Sequence, residues 1–108
     1  METYEITLES QLGPRKGTLL LNVIGKEVTG TLSLLGFDNP VCGQWISGRH
    51  LRLLHHLRTR MSDIPCESTL ELIQGNLTGT ANTSKGKMPW HGRKLDGKIP
   101  ADKQEQKP

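Results

Sequence analysis

Residues 18–35, TLLLNVIGKEVTGTLSLL, decide the fold. Gly25-Lys26 sits at their centre, and glycine first of two loop residues suits a type II′ hairpin turn. That turn sets Ile24 opposite Glu27, Val23 opposite Val28 and Leu21 opposite Gly30. One face then carries Leu19, Leu21, Val23, Val28, Gly30, Leu32 and Leu34. The other carries Leu20, Asn22, Ile24, Glu27, Thr29, Thr31 and Ser33. Turn chemistry and face pattern agree on one register.

Working outward, the same pattern recurs. Tyr4, Ile6 and Leu8 alternate with Glu5, Thr7 and Glu9, as in an antiparallel strand with one wet face. Gly13-Pro14-Arg15-Lys16-Gly17 breaks the chain before Thr18. Val41–Ile46 and Arg49–Leu57 flank a short turn at Ser47-Gly48. Residues 59–66 read as a loop. Ser68–Ile73 and Leu77–Ala81 flank Gly75-Asn76, and Trp90–Leu95 is a weaker strand. No segment shows ten residues of helical periodicity.

The hairpins repeat. Val28-Thr29-Gly30-Thr31 matches Leu77-Thr78-Gly79-Thr80 at an offset of 49, as do Pro40 and Pro89, Gly43 and Gly92, and Gly48 and Gly97. Upstream, Thr18-Leu19 and Leu21 match Thr69-Leu70 and Leu72 at an offset of 51, which places Leu72 opposite Gly79. The repeats span about 18–58 and 67–99. The second lacks a fourth strand, and the N-terminal strand fills that place. Eight short strands in sequence order with first and last paired form a closed up-and-down barrel. An open two-sheet sandwich is the alternative. The barrel domain covers residues 1–99, and 100–108 read as a disordered tail.

Leu77-Thr78-Gly79-Thr80 after a hairpin turn resembles the small bacterial meander barrels of the avidin and streptavidin type, and more broadly the calycins. The resemblance implies a barrel open at one end onto a small-molecule pocket, and association through barrel walls. Avidin-type biotin pockets are rich in tryptophan. With only Trp45 and Trp90 here, no biotin contact carries over by position.

Composition agrees with the barrel. Only 33% of the 108 residues are hydrophobic and 4% aromatic, but there are 12 glycines. Leu, Ile and Val must build the core, and glycine must serve turns and bends. No apolar run approaches a membrane span. The N-terminus shows no charged-then-apolar leader, and two cysteines, Cys42 and Cys66, fall short of a disulfide framework. Together these favour the cytoplasm, with both thiols buried or half-buried.

Candidate sites follow from the faces. A ligand entering the barrel would meet Leu21, Gly30, Leu72 and Gly79, with Trp45 and Trp90. The Leu-rich interior favours filling; the small residues favour a pocket. Residues 1–48 carry 3 basic and 5 acidic side chains, whereas 49–108 carry 11 and 6. Arg49, His50, Arg52, His56 and Arg58 form a cationic ridge. With Lys85, Lys87, Arg93, Lys94 and Lys98 it offers a polyanion surface, although the scarcity of aromatics argues against nucleic acid. His55-His56 point to opposite faces, so no metal site is expected. Exposed basic positions on strands account for the histidines. Leu20, Ile24, Leu35, Leu54 and Ile73 fall on the outer face and suggest a homodimer through the wall. No nucleophile, acid–base pair or phosphate loop is present. The expectation is a non-catalytic binding module without cofactor. The alternatives are a protein- or polyanion-binding surface, or a structural subunit of an assembly.

Overall fold

The computed structural model describes residues 2–10 and 12–95. The expected tail, together with Gly97 and Lys98, lies outside the described residues. Eight antiparallel strands follow one another around a closed barrel: β1 (Glu2–Ser10), β2 (Gly13–Ile24), β3 (Glu27–Leu34), β4 (Phe37–Trp45), β5 (His50–Arg58), β6 (Asp63–Ile73), β7 (Asn76–Thr83) and β8 (Gly86–Lys94). β1 pairs with β8, which closes the sheet and removes its edges. The sandwich alternative is set aside. Among the described residues no helix is long and apolar enough to cross a membrane.

The β2–β3 register is as the turn predicts: Ile24 faces Glu27, and Leu21 faces Gly30. Gly25 has φ 62, the left-handed first position of that turn. The β6–β7 register differs from expectation. Its turn is Gln74-Gly75, not Gly75-Asn76, so Leu72 faces Leu77, and Gly79 faces Leu70. Gln74 itself takes φ 52, a conformation for which glutamine has no special aptitude. One offset of 49 therefore spans this hairpin, and β3 and β7, like β4 and β8, begin and end 49 residues apart.

Two strands begin earlier than their prolines suggest. β2 starts at Gly13, and β6 starts at Asp63, inside the expected loop. In both, the early residues pair on one side only: 13–16 with β1 and 63–66 with β5. Pro14 and Pro65 thus sit where no second ladder needs a donor.

The middle of the barrel is filled. Leu19, Leu21, Leu51, Leu53, Leu70 and Leu77 are buried, with Ile6, Val28, Leu32 and Trp90 packed among them. Glycine is required where strands press together. A Cβ on Gly30 would overlap the Leu20 carbonyl oxygen, and one on Gly43 the Arg52 carbonyl oxygen. Such positions let a small barrel bend tightly.

Candidate functional site

The barrel is filled in the middle and hollow at one end, and the strand pairing explains why. The β4–β5 seam runs only from Val41↔His55 to Trp45↔Leu51. The β8–β1 seam runs only from Trp90↔Leu8 to Lys94↔Tyr4. Each seam stops at a proline, Pro40 or Pro89, which has no N–H to carry the ladder on. Beyond both prolines the barrel parts, while the β1–β2 and β5–β6 hairpins project past their neighbours. A cavity of about 470 Å³ opens there, within the usual small-molecule range of about 300–1,000 Å³.

Its apolar lining includes Leu8, Leu34, Leu57, Ile64 and Met88. Leu12 and Met61, at the tips of the projecting hairpins, also line it, yet they are 85% and 93% exposed. Arg15, Arg58, Lys85 and Lys87 complete the charged lining, and no carboxylate stands among the lining residues. The hydroxyls there serve the turns. Ser10 Oγ donates to the Gly13 carbonyl at 2.7 Å, Thr83 Oγ1 donates to the Gly86 carbonyl at 2.9 Å, and Thr59 and Ser62 bond each other at 3.0 Å.

The two seams end differently. At β4–β5 the buried Asn39 carries on where the ladder stops. Its Nδ2 donates to the Leu32 carbonyl at 3.1 Å, and its Oδ1 accepts from the Arg58 backbone N–H at 3.1 Å. The Arg58 guanidinium donates to the Asp38 carbonyl at 2.6 Å. At β8–β1 the residue 49 positions on is Met88, which has nothing to donate and faces the cavity.

Beneath the cavity floor lies a polar pair. His55 closes the β4–β5 seam and is buried, on the face it shares with Leu51, Leu53 and Leu57, so the account of the histidines as exposed basic positions does not extend to it. Its Nε2 lies 2.7 Å from Ser68 Oγ and its Nδ1 3.3 Å from the His56 carbonyl. A carbonyl only accepts, so Nδ1 carries the proton and Nε2 accepts from the Ser68 hydroxyl. Burial lowers the His55 pKa from its ordinary 6.5, only partly offset by the backbone bond. The ring meets Trp90 at 6.0 Å between centroids. Trp90 Nε1 is buried without a partner. Burial also pushes the Cys66 thiol up to about 11.

The residues singled out from the sequence separate into two groups. Leu21 and Trp90 are in the filled core, Gly30 and Gly79 lie against it, and Leu72 and Trp45 are half-buried towards the opposite end. None of the six lines the cavity. The cationic ridge is assembled on the outer face of β5, but β6 supplies matching carboxylates. Arg49 and His50 meet Glu71 at 3.4 and 3.5 Å, Arg52 meets Glu67, and His56 meets Asp63 at 2.6 Å. Cys42, expected to be at least half-buried, is exposed, because it points outward between Val41 and Gly43. The lining residues come largely from turns, where no periodicity marks them. Lys85 and Lys87, in the basic second half of the sequence, are the one signal the sequence offers; Arg15, in the acidic first half, carries none.

No protein-family model and no curated protein matches the chain. Solved structures similar to it include a redesigned β-barrel, mFAP1, bound to DFHBI, with TM-score 0.66 and 11% identity over 84% of this chain and 91% of that one. Another is a de novo designed fluorescence-activating β-barrel, with TM-score 0.63 and 17% identity over 86% and 91%. A third, the redesigned barrel mFAP0 bound to DFHBI, aligns with TM-score 0.60 and 13% identity over 84% and 94%. At these identities the likeness concerns the fold.

Proposed function

We propose that this barrel is a non-catalytic binding protein that holds a small, largely apolar molecule in the cavity at its open end. The observation that carries this reading is the cavity itself, with an apolar lining and a mouth formed where two strand seams stop. Two structural neighbours are barrels bound to a small molecule, DFHBI, and the avidin-type resemblance points the same way. The charged lining carries cations and no carboxylate, which suits holding a ligand more than carboxylate acid–base chemistry. The polyanion surface has less support, since Arg49, His50, Arg52 and His56 on the ridge already meet carboxylates, and Arg58 is engaged with the Asp38 carbonyl. Two free thiols, an exposed Cys42 and a buried Cys66, suit a reducing compartment such as the cytoplasm.

The test is a titration with Nile red, a neutral apolar dye. Saturable one-to-one enhancement of its emission is expected, and Ile64→Trp or Met88→Trp, which fill the cavity, should abolish it. Emission that never saturates, or that survives both fillings in a folded protein, sinks the reading.

Self-association is a second reading. Ile24, Ile46 and Ile73 are exposed at the turns opposite the cavity, Ile24 to 71%. A dimer would cover them, and sedimentation of wild type against Ile24→Lys separates dimer from monomer.

A further inference from the structure

We infer that the molecule held in the cavity is a single-chain amphiphile with an anionic head; this rests on the cavity's being a ligand site. Two observations meet at one end of the barrel. The first is the apolar depth, built by Leu8, Leu34, Leu57, Ile64 and Met88. The second is the sign of the rim. Arg15, Lys85 and Lys87 line the mouth, and among the described residues none of them has a carboxylate partner. Elsewhere on the barrel Arg49, Arg52, Arg93 and Lys94 each meet a glutamate; Lys16, Lys26 and Arg60 meet none among the described residues, but these three do not line the cavity. Acidic side chains near the mouth are engaged on the outer wall: Glu9 with His91 at 3.2 Å and Asp63 with His56 at 2.6 Å.

A rim of one sign above an apolar cavity favours a ligand with an apolar tail and a head of the opposite sign. Ser10 and Thr83 spend their hydroxyl protons on their own turns, and Thr59 and Ser62 bond each other, so the cations are the charged groups that can hold that head. The projecting tips, Leu12 and Met61, stand on two sides of the opening and can close over the upper part of the tail. A carboxylate, sulfate or phosphate head satisfies the rim equally, whether it comes as a free amphiphile or from a bilayer.

Calorimetric titration with octanoate, decanoate and dodecanoate at low ionic strength tests this. Affinity should rise by about fourfold per added methylene as the tail fills the apolar depth. Dodecanoate should bind about tenfold more tightly than dodecanol, and dodecyltrimethylammonium more weakly than either. Lys85→Glu with Lys87→Glu, both exposed positions, should remove the preference for dodecanoate over dodecanol. Equal affinity for the acid and the alcohol, or a preference that survives the double reversal, overturns the anionic head and leaves the cavity reading standing. If neither these amphiphiles nor Nile red binds, the cavity reading falls as well. Vesicles of anionic phosphatidylglycerol separate the sources. Cosedimentation competed by dodecanoate supports a head taken from the bilayer into the same site. Cosedimentation without any binding of dodecanoate assigns the cations to surface attraction and overturns the proposal.

Discussion

The two short seams of the barrel, β4–β5 and β8–β1, are built alike and finished differently. Each carries a proline where the ladder stops and a glycine three residues on, Pro40 with Gly43 and Pro89 with Gly92. Just before the proline they diverge. Asn39, anchored through its Nδ2 on Leu32 of β3, accepts across the parted seam from the Arg58 N–H of β5, whereas Met88 offers no such group and turns to the cavity. The lesson is that a closed sheet is opened by withholding hydrogen bonds at its seams, and that one amide side chain decides whether a parted seam is restitched or left as a mouth. His55 and Trp90, the last residues of the two seams, touch inside the barrel, so what happens at one seam is felt at the other.

The shared part of the design should break hardest. A Cβ on Gly43 overlaps the Arg52 carbonyl oxygen, and one on Gly92 overlaps the Glu5 carbonyl oxygen; the Gly43 overlap is the deeper. Backbone cannot yield as a side chain can. Gly43→Ala and Gly92→Ala should each cost about 3 kcal/mol or more in urea denaturation, with Gly43→Ala the worse. Near-wild-type midpoints for both would mean that the strands at the seams can move apart at little cost.

The divergent part should break unequally. Asn39→Ala strands the Leu32 carbonyl and the Arg58 N–H, for a loss of about 2 kcal/mol. Met88→Ala removes only a half-buried thioether beside an open cavity, for about 1 kcal/mol. Comparing their urea midpoints sharpens the contrast, and equal losses would remove it.

Much of this architecture is legible in the amino-acid sequence, because a barrel wall is written in alternation. Gly25-Lys26 and the Leu/Thr faces around it are enough for the β2–β3 register, and Leu51, Leu53 and Leu57 are enough to turn His55 inward. The β6–β7 register slips because Gln74, of no turn-forming repute, takes the left-handed position beside Gly75. The starts of β2 and β6 are hidden because Pro14 and Pro65 look like loop residues unless the strand is known to pair on one side only. The cavity is hidden for a related reason. Its lining gathers Leu12, Arg15, Met61 and Lys85 from hairpin ends, and their meeting depends on where ladders stop, which is a property of pairing between strands and not of any one of them.

The smallest effect concerns the junction of the two seams and follows from the sign of one pKa shift. Burial holds the His55 imidazole neutral in the folded protein below its ordinary 6.5. As the pH falls, the unfolded chain takes up this proton first, so acidification favours unfolding. The His55 contribution is intact above about pH 6.5 and is lost progressively below it, down to the lowered folded value. In the folded state Nε2 accepts from Ser68, so a proton there would set two donors face to face inside the core. His55→Gln keeps an amide beside Ser68 and does not titrate. Urea midpoints measured from about pH 7.5 down to about pH 5 should therefore fall more steeply for the wild type than for His55→Gln. Since His55 touches Trp90, the protonation should also disturb tryptophan emission in the wild type before global unfolding. Parallel pH profiles for the two proteins would show that the junction between the seams does not sense protons.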